Sequence, residues 1–350
     1  MWILISVLIL SILIFFHELG HFLVARAFNV RVEVFSIGFG KKILKKNING
    51  TEYAISAIPL GGYVKMKGQD DTDPNKINLD EDSYYTKKPW QKICILFAGS
   101  FANIFLAFLI YIFIGIYGIN SFAPTIGEVV ENSPAFYAGL KNGDEIIKID
   151  NKKIKIWRDV YDYISNNKNQ MNLSYKRDGE IHSTLINSQI KETKNIFGEN
   201  VEIGFIGVAS NGEIKKVKYS LFESINFAYN ETLDSSKLII LGLQKLILRI
   251  LPISEIGGPI SIVQVISKAK ESGIVVLMAF SALISINLGI LNLLPIPALD
   301  GGHIMFTIYE WISKRKISDR VMYALTLFGW IVLLSLSMLG IYNDVNRIIK

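Results

Sequence analysis

Long apolar stretches alternate with charged segments along the 350-residue chain. Three of the stretches contain no Asp, Glu, Lys or Arg: residues 93–119, 273–299 and 321–343. A helix needs about 20 apolar residues to cross a bilayer, so each is long enough. A fourth stretch, residues 2–25, is interrupted by polar residues, and neither a basic segment before it nor a small-residue cleavage site marks it as a signal peptide. The pattern therefore predicts four transmembrane helices.

The composition agrees with a membrane protein. The chain is 50% hydrophobic and 19% charged, whereas soluble domains carry about 25% charged residues. These fractions argue against a disordered protein and against an ordinary cytosolic enzyme. The net charge of +6 is spread along the chain, so we expect no nucleic-acid partner. The single cysteine, Cys94, excludes an intrachain disulfide, and its apolar surroundings predict a buried thiol.

Basic residues near the ends of the apolar stretches indicate orientation, because cytoplasmic loops are enriched in Lys and Arg. Such residues follow the first stretch, precede the second and precede the fourth: Arg26, Arg31, Lys41, Lys42, Lys45, Lys46, Lys87, Lys88, Lys92, Lys314, Arg315, Lys316 and Arg320. With four spans, both of these loops lie on the cytoplasmic side, and the central residues 120–272 lie outside the cytoplasm.

The central stretch resembles a bacterial PDZ domain over residues 121–210. The resemblance rests on Ala138-Gly139-Leu140, Gly143-Asp144 and Ile149-Asp150. It implies a groove that accepts an extended peptide by strand addition. The alternative is a steric plug that binds nothing, and the sequence leaves both open.

Residues 211–272 form an amphipathic segment. Lys245 and Arg249 interrupt its apolar run, which favours helices that lie on the membrane surface over a fifth span.

The polar interruption of the first stretch is an H-E-x-x-H motif, His17-Glu18-Leu19-Gly20-His21. On a helix, residues i and i+4 share one face, so both imidazoles point the same way. Two neutral imidazoles so placed can bind Zn²⁺, and the glutamate beside the first can activate a metal-bound water. Ionisable residues within a span are costly and mark function by default. The alternative is a structural role, in which these residues make a polar contact between helices.

A catalytic zinc site usually needs three protein ligands. Asp300 and His303, at the end of the third apolar stretch, are the two candidates for the third position. Pro295 and Pro297 break the helix before Asp300, and two glycines follow it. Such irregular backbone is tolerated at membrane depth only where it is buried or lines a watery cavity. We favour Asp300 and expect His303 to be a supporting or interfacial residue.

The chain resembles the site-2 protease family of intramembrane zinc metalloproteases. The resemblance rests on the H-E-x-x-H motif, the N-x-x-P-x-P-x-L-D-G-G segment from Asn292 and the PDZ-like stretch between them. The branch it resembles is the bacterial RseP-like one, in a form with a single PDZ domain. The resemblance implies that His17, His21 and Asp300 hold zinc and that Glu18 is the catalytic base.

The resemblance also implies that Asn292 contacts substrate or the oxyanion, and Asn287 fits a similar role. One departure concerns the second span, where the family often shows G-P-x-x-N. Here Gly99-Ser100-Phe101-Ala102-Asn103 lacks the proline, which puts a local kink in question. The implied location is the bacterial cytoplasmic (inner) membrane, with the PDZ-like domain extracytoplasmic and the active site near the cytoplasmic face.

A strand-like segment follows the first span. Residues 32–40 read as a strand with a glycine break, and residues 53–58 as its partner. The family resemblance implies a membrane-re-entrant β-loop here. An opened substrate helix needs new backbone partners in lipid, and we predict that it adds as a strand to the edge formed by Ser56, Ala57 and Ile58. The alternative is an ordinary cytoplasmic hairpin.

The expected fold is an α-helical integral membrane protein with four transmembrane helices, a membrane-associated β-loop after the first helix, and an inserted small α/β PDZ-like domain. The predicted segments are the first transmembrane helix (1–28), the cytoplasmic or re-entrant β-loop region (29–90), the second helix (91–120), the PDZ-like domain (121–210), the interfacial helices (211–272), the third helix (273–303), and the loop with the fourth helix (304–350).

The expected function is zinc-dependent hydrolysis of peptide bonds within the transmembrane segments of single-span proteins. Expected partners are such substrates (anti-sigma-factor-like regulators or signal-peptide remnants), a peptide or substrate ectodomain at the PDZ-like domain, and membrane lipid. A membrane scaffold is the main alternative, but it has no need of Glu18 or of a third ligand. A metal-dependent transporter is disfavoured because no second ionisable path is present.

Overall fold

A computed structural model of the chain describes residues 2–68 and 78–349. Residues 69–77 of the predicted β-loop region therefore lie outside the described residues. The contacts divide the chain into two compact units, Met1–Phe113 with Ile225–Lys350, and Ile114–Ser224. We call the first the helical unit and the second the small domain.

Helices make up most of the helical unit. In chain order the helices of the described residues are α1 (Trp2–Ala27), α2 (Pro89–Tyr117), α3 (Pro134–Tyr137), α4 (Trp157–Asn166), α5 (Leu221–Ile247), α6 (Pro259–Glu271), α7 (Ile274–Asn292), α8 (Asp300–Ser313) and α9 (Asp319–Ile349). Of these, α3 and α4 lie in the small domain. Within the described residues, four of them are long and apolar enough to cross a membrane: α1, α2, α7 and α9. The helix α5 is not among these four, and it carries Lys237 and Lys245.

Strands occur beside α1 and throughout the small domain. In chain order they are β1 (Val32–Ile48), β2 (Thr51–Met66), β3 (Ile119–Phe122), β4 (Ile126–Val129), β5 (Glu145–Ile149), β6 (Lys152–Lys153), β7 (Gln170–Arg177), β8 (Glu180–Asn187), β9 (Gln189–Lys194), β10 (Asn200–Phe205), β11 (Val208–Ser210) and β12 (Ile214–Val217).

The strands β1 and β2 form a sheet of their own. Glycines with positive φ, among them Gly38 and Gly61, bend both strands. Each strand is therefore divided into two segments that pair separately. Residues 42–48 pair with 51–56, residues 34–37 also lie beside 52–55, and residues 32–37 pair with 62–66. The segment 52–55 is therefore flanked on both sides, whereas 62–66 has a strand partner on one side only among the described residues.

The small domain encloses its own apolar core. Its largest sheet has the order β6-β5-β7-β8, and its other strands form three two-stranded pairs, β10-β9, β11-β4 and β12-β3. Inward residues of these strands and of α4, such as Ile146, Leu173 and Ile164, pack with Ile206 in one cluster. The domain exceeds the predicted 121–210 at both ends, because β3 pairs with β12.

The predicted third span, 273–303, consists of two helices. α7 ends at Asn292, a loop occupies residues 293–299, and α8 begins at Asp300 and crosses the predicted boundary at 303. Proline cannot donate a backbone hydrogen bond in a helix interior, so Pro295 and Pro297 account for the break.

Cys94 is exposed, not buried as its apolar neighbours suggested. It lies on the outward face of α2 together with Phe97, Phe101 and Phe105, which are also exposed. Apolar residues on a helix that spans a membrane do not need to face a protein core, and this is why the apolar run misled the prediction.

A buried ion pair stabilises the small domain. The Asp144 carboxylate, whose side chain is 1% exposed, accepts two hydrogen bonds of 2.7 Å from Arg177.

Replacing Arg177 with Met leaves a buried charge unpaired, so we expect a loss of about 3 kcal/mol in the stability of this domain. The measurement is hydrogen exchange in β5 and β7. Lys168→Met, which breaks the exposed pair with Glu202, is the control and should cost less than about 1 kcal/mol. Equal effects would contradict the assignment.

Candidate metal centre

His17 and His21 meet on one face of α1. They are one helical turn apart, both are buried, and their Nε2 atoms are 3.2 Å apart. The apolar residues of α1 surround them along the helix, as the i, i+4 spacing predicts.

Asp300 completes a three-residue cluster with the two histidines. It is the first residue of α8, and its Oδ2 atom lies 3.2 Å from Nε2 of His17 and 3.3 Å from Nε2 of His21. His303, the other candidate, lies one turn further along α8 and contacts the ring of Phe306 instead. The loop between α7 and α8 therefore brings the aspartate, and not the histidine, to the motif on α1.

The three atoms fit a zinc ion. Zinc–ligand bonds of about 2.0–2.1 Å in a tetrahedron place neighbouring ligand atoms about 3.3–3.4 Å apart. The three observed separations are 3.2, 3.2 and 3.3 Å. Two imidazole nitrogens and a carboxylate oxygen are also a ligand set that catalytic zinc uses.

The orientation of His21 is fixed from α2. Its Nδ1 lies 2.8 Å from the carbonyl oxygen of Ile95. A carbonyl oxygen only accepts, so Nδ1 carries the proton and Nε2 offers its lone pair to a metal. One turn further along α2, a Cβ at Gly99 would overlap the imidazole of His21. The glycine of the second-span motif thus provides the space for this ligand, and α2 continues through the motif from Pro89 to Tyr117.

Glu18 lies in the wall of a cavity of about 160 Å³ beside the cluster. The cavity is lined by His17, Glu18, His21, Tyr63, Val64, Met66, Leu96 and Asp300. The Glu18 carboxylate accepts a hydrogen bond from the backbone N–H of Val64. The base candidate and the three ligand candidates therefore border one cavity with the last segment of β2.

The strand edge at this cavity differs from the predicted one. Ser56 lies opposite Lys42 and its hydroxyl bonds that of Ser36 (2.9 Å), while Ile58 lies opposite Phe39. Ala57 lies between them, and none of the three lines the cavity. The segment that does so is 62–66, because the bend at Gly61 turns β2 back past α1. The glycine pair Gly61-Gly62 was the sequence signal for this bend.

The two asparagines differ in position. Nδ2 of Asn292 lies 3.3 Å from Nε2 of His17, so the last residue of α7 adjoins the cluster. Asn287 is half-buried within α7 and is not among the residues that line the cavity. Asn103 of the second-span motif is buried, and Ser285 of α7 donates to its backbone carbonyl (2.8 Å).

The chain matches the model of peptidase family M50 over residues 5–336. It is 46% identical over 344 residues to a protein of Campylobacter jejuni, covering 98% of this chain and 93% of that one. It is 38% identical over 351 residues to a protein of Helicobacter pylori, covering 99% of both. Both carry the name of a zinc metalloprotease. A PDZ domain of an SdrC-like protein from Listeria monocytogenes aligns with 26% of this chain and 90% of that one, at 22% identity and a TM-score of 0.20.

The contact between Gly99 and His21 predicts a steric requirement. Gly99→Ala should displace the His21 imidazole and weaken zinc binding by about 10–100-fold, the usual effect of disturbing the groups that orient a ligand. The measurement is zinc retained after dialysis against a weak chelator. Gly242→Ala in α5, where a Cβ meets nothing within 4 Å, is the control. Equal retention by both variants would show that Gly99 does not limit the site.

Proposed function

The chain belongs to peptidase family M50, and from this membership and the cluster on α1 we propose that it is an intramembrane zinc endopeptidase. It is a membrane zinc metalloprotease by family and by the names of its relatives. The proposal is that its substrates are the membrane-spanning segments of single-span proteins.

The observation that carries the proposal is the position of the cluster. The three candidate zinc ligands and Glu18 lie within or beside α1, a helix apolar enough to span a membrane. Ionisable residues at that depth are expensive and face a cavity or one another. A soluble peptide would not need a site there, whereas a peptide bond inside a spanning helix is found at that depth.

His17, His21 and Asp300 would hold the zinc ion, which when bound supplies Lewis acidity that acidifies a water and polarises a carbonyl. Glu18 takes the proton from the attacking water at its carboxylate and passes it to the leaving amine. Asn292 donates its side-chain N–H to the oxygen of the scissile carbonyl as negative charge develops there. The surrounding apolar helices exclude bulk water and strengthen these interactions.

A substrate helix must open before its carbonyls can be attacked, and its freed backbone groups then need partners. The edge of segment 62–66 supplies them. Val64 lies opposite Phe35 in the sheet, and its N–H points to Glu18. In the proposed complex the substrate strand takes over this N–H from the Glu18 carboxylate. A substrate strand added here runs along the cavity wall and carries its peptide bond past Glu18.

The proposed substrates are anti-sigma-factor-like regulators or signal-peptide remnants in the bacterial cytoplasmic membrane. We propose that the small domain lies outside the cytoplasm and either binds a peptide or excludes substrates with bulky ectodomains. Membrane lipid surrounds the four spanning helices. The basic residues around the ends of the spans support this orientation.

Cleavage of a single-span reporter tests the proposed function. The reporter carries helix-destabilising residues in its span and is incubated with purified protein in detergent. Glu18→Gln should retain zinc but should lower the cleavage rate about 10²–10⁴-fold, because it removes the general base and not a metal ligand. The measurements are product formation and bound zinc for both proteins.

Cutting by the wild type alone would support the protease and assign Glu18. Equal cutting by both proteins would indicate a contaminating protease. A wild type that binds no zinc and cuts none of a panel of such spans would contradict the proposal and favour a scaffold.

Strand addition predicts a specific effect of Val64→Pro. Proline is tolerated where its missing N–H is not part of the ladder, so the sheet should persist. The substrate loses the N–H that it takes over from Glu18 in the proposed complex, at about 0.5–1.5 kcal/mol per hydrogen bond, so KM should rise several-fold. The measurement is KM and kcat for the reporter.

A fall in kcat with KM unchanged would contradict strand addition, since it would report only the lost contact with Glu18. Tyr63→Pro is the control for the sheet. Tyr63 lies opposite Ser36, and a proline there should disrupt the ladder and lower thermal stability.

A further inference from the structure

The last helix touches the rest of the helical unit at few places. Of the α9 residues whose side chains are described, four are buried: Gly329, Gly340, Asn343 and Asp344. The others are exposed or half-buried, as expected for a helix whose remaining faces meet lipid. The four buried residues form two separate contacts, one at Gly329 and one from Gly340 to Asp344.

The contact near the end of α9 is a packing contact with α6. The Asp344 carboxylate accepts hydrogen bonds from the backbone N–H groups of Gly258 and Ser261, each 3.0 Å long, at the start of α6. A Cβ at Gly340 would lie 2.9 Å from Cα of Gly258. Asn343 donates to the carbonyl oxygens of Ile253 and Ile256. None of these residues borders the zinc ligands.

The contact at Gly329 has a different partner. A Cβ at Gly329 would fall on the carbonyl oxygen of Pro297, in the loop between α7 and α8. The helix backbone therefore lies directly against the backbone of that loop. No side chain fits between them, so any other residue at position 329 would move either the helix or the loop.

The loop leads from this contact to the aspartate within three residues. Pro297 is followed by Ala298, whose φ of +105° is a conformation that L-residues rarely adopt. Leu299 then ends the loop and Asp300 begins α8. On the other side, Gly301 and Gly302 pack against the carbonyls of Leu293, Leu294 and Ile296. The loop is thus confined between the start of α8 and α9, and it holds a strained residue that needs such confinement to persist.

We propose that Gly329 is a positioning residue of the zinc site. By letting α9 lie against Pro297, it holds the loop in the conformation that keeps Oδ2 of Asp300 at 3.2–3.3 Å from both histidines. The inference rests on the proposed function only in taking these three residues as the zinc ligands. It assigns a task at the site to α9, a helix that contributes none of the three candidate ligands.

The test compares two glycines of α9. Gly329→Ala should weaken zinc binding by about 10–100-fold, as for other groups that orient a ligand, and should change the visible spectrum of the Co²⁺-loaded protein. Gly340→Ala perturbs the packing of the same helix against α6 and should leave the spectrum unchanged. Both proteins are purified in detergent as monodisperse fractions, and the probes are Zn²⁺ and Co²⁺ alone. The cobalt spectrum reports ligand geometry and is not moved by a merely structural loss of stability.

The inference is overturned if Gly329→Ala matches the wild type in zinc affinity and cobalt spectrum, or if Gly340→Ala alters both equally. A second test uses the wild type alone, so that its result does not depend on whether the variant folds. Coupling between two sites is reciprocal, so zinc should slow amide exchange in residues 325–333 of α9 more than in residues 336–344. Equal protection of the two segments would also overturn it.

Failure of this inference is distinguishable from failure of the proposed function. If the wild type binds no zinc, the proposed function fails first. If the wild type binds zinc and cuts the reporter while Gly329→Ala does the same with an unchanged spectrum, only the role of Gly329 is wrong.

Discussion

Three ionisable side chains lie within 3.3 Å of one another in apolar surroundings, and the rest of the helical unit is arranged around that constraint. Buried polar groups and charges are costly unless they are paired or bind a metal. The cluster is therefore built from groups that several elements bring together. α1 contributes the two imidazoles, α2 contributes the carbonyl that orients His21, and the first residue of α8 contributes the carboxylate. Each of these elements must approach the others closely.

Backbone, more than side chains, makes that approach possible. A Cβ at Gly20 would overlap the carbonyl of Ala98, one at Gly99 the ring of His21, and one at Gly329 the carbonyl of Pro297. Helices in membranes associate through small residues, because apolar side chains gain little by leaving lipid. Here the same close packing determines the geometry of the site. Gly20 and Gly329 allow backbones to meet, and Gly99 leaves room for the imidazole of His21.

The sheet beside α1 adds a strand segment to the cavity wall, and within the described residues that segment has a strand partner on one side only. Its strands bend at glycines, so the segment that ends at Met66 returns to Glu18, while Ser56 lies opposite Lys42 and does not line the cavity. The sequence predicted a strand edge at Ser56, Ala57 and Ile58, whereas the segment that lines the cavity is 62–66. Periodicity identifies a strand, but it does not show how many neighbours the strand has.

The sequence by itself determined the four apolar helices, the motif on α1 and the chemistry of Asp300, because span length, i, i+4 spacing and ligand type are local properties. It left Asp300 and His303 as alternatives, and it could not locate the edge at 62–66 or the contact between Gly329 and Pro297. Those features depend on residues far apart in the chain meeting within a few ångströms. Only the tertiary structure decided them. The sequence around a glycine in an apolar helix does not show whether the glycine faces lipid or a carbonyl group.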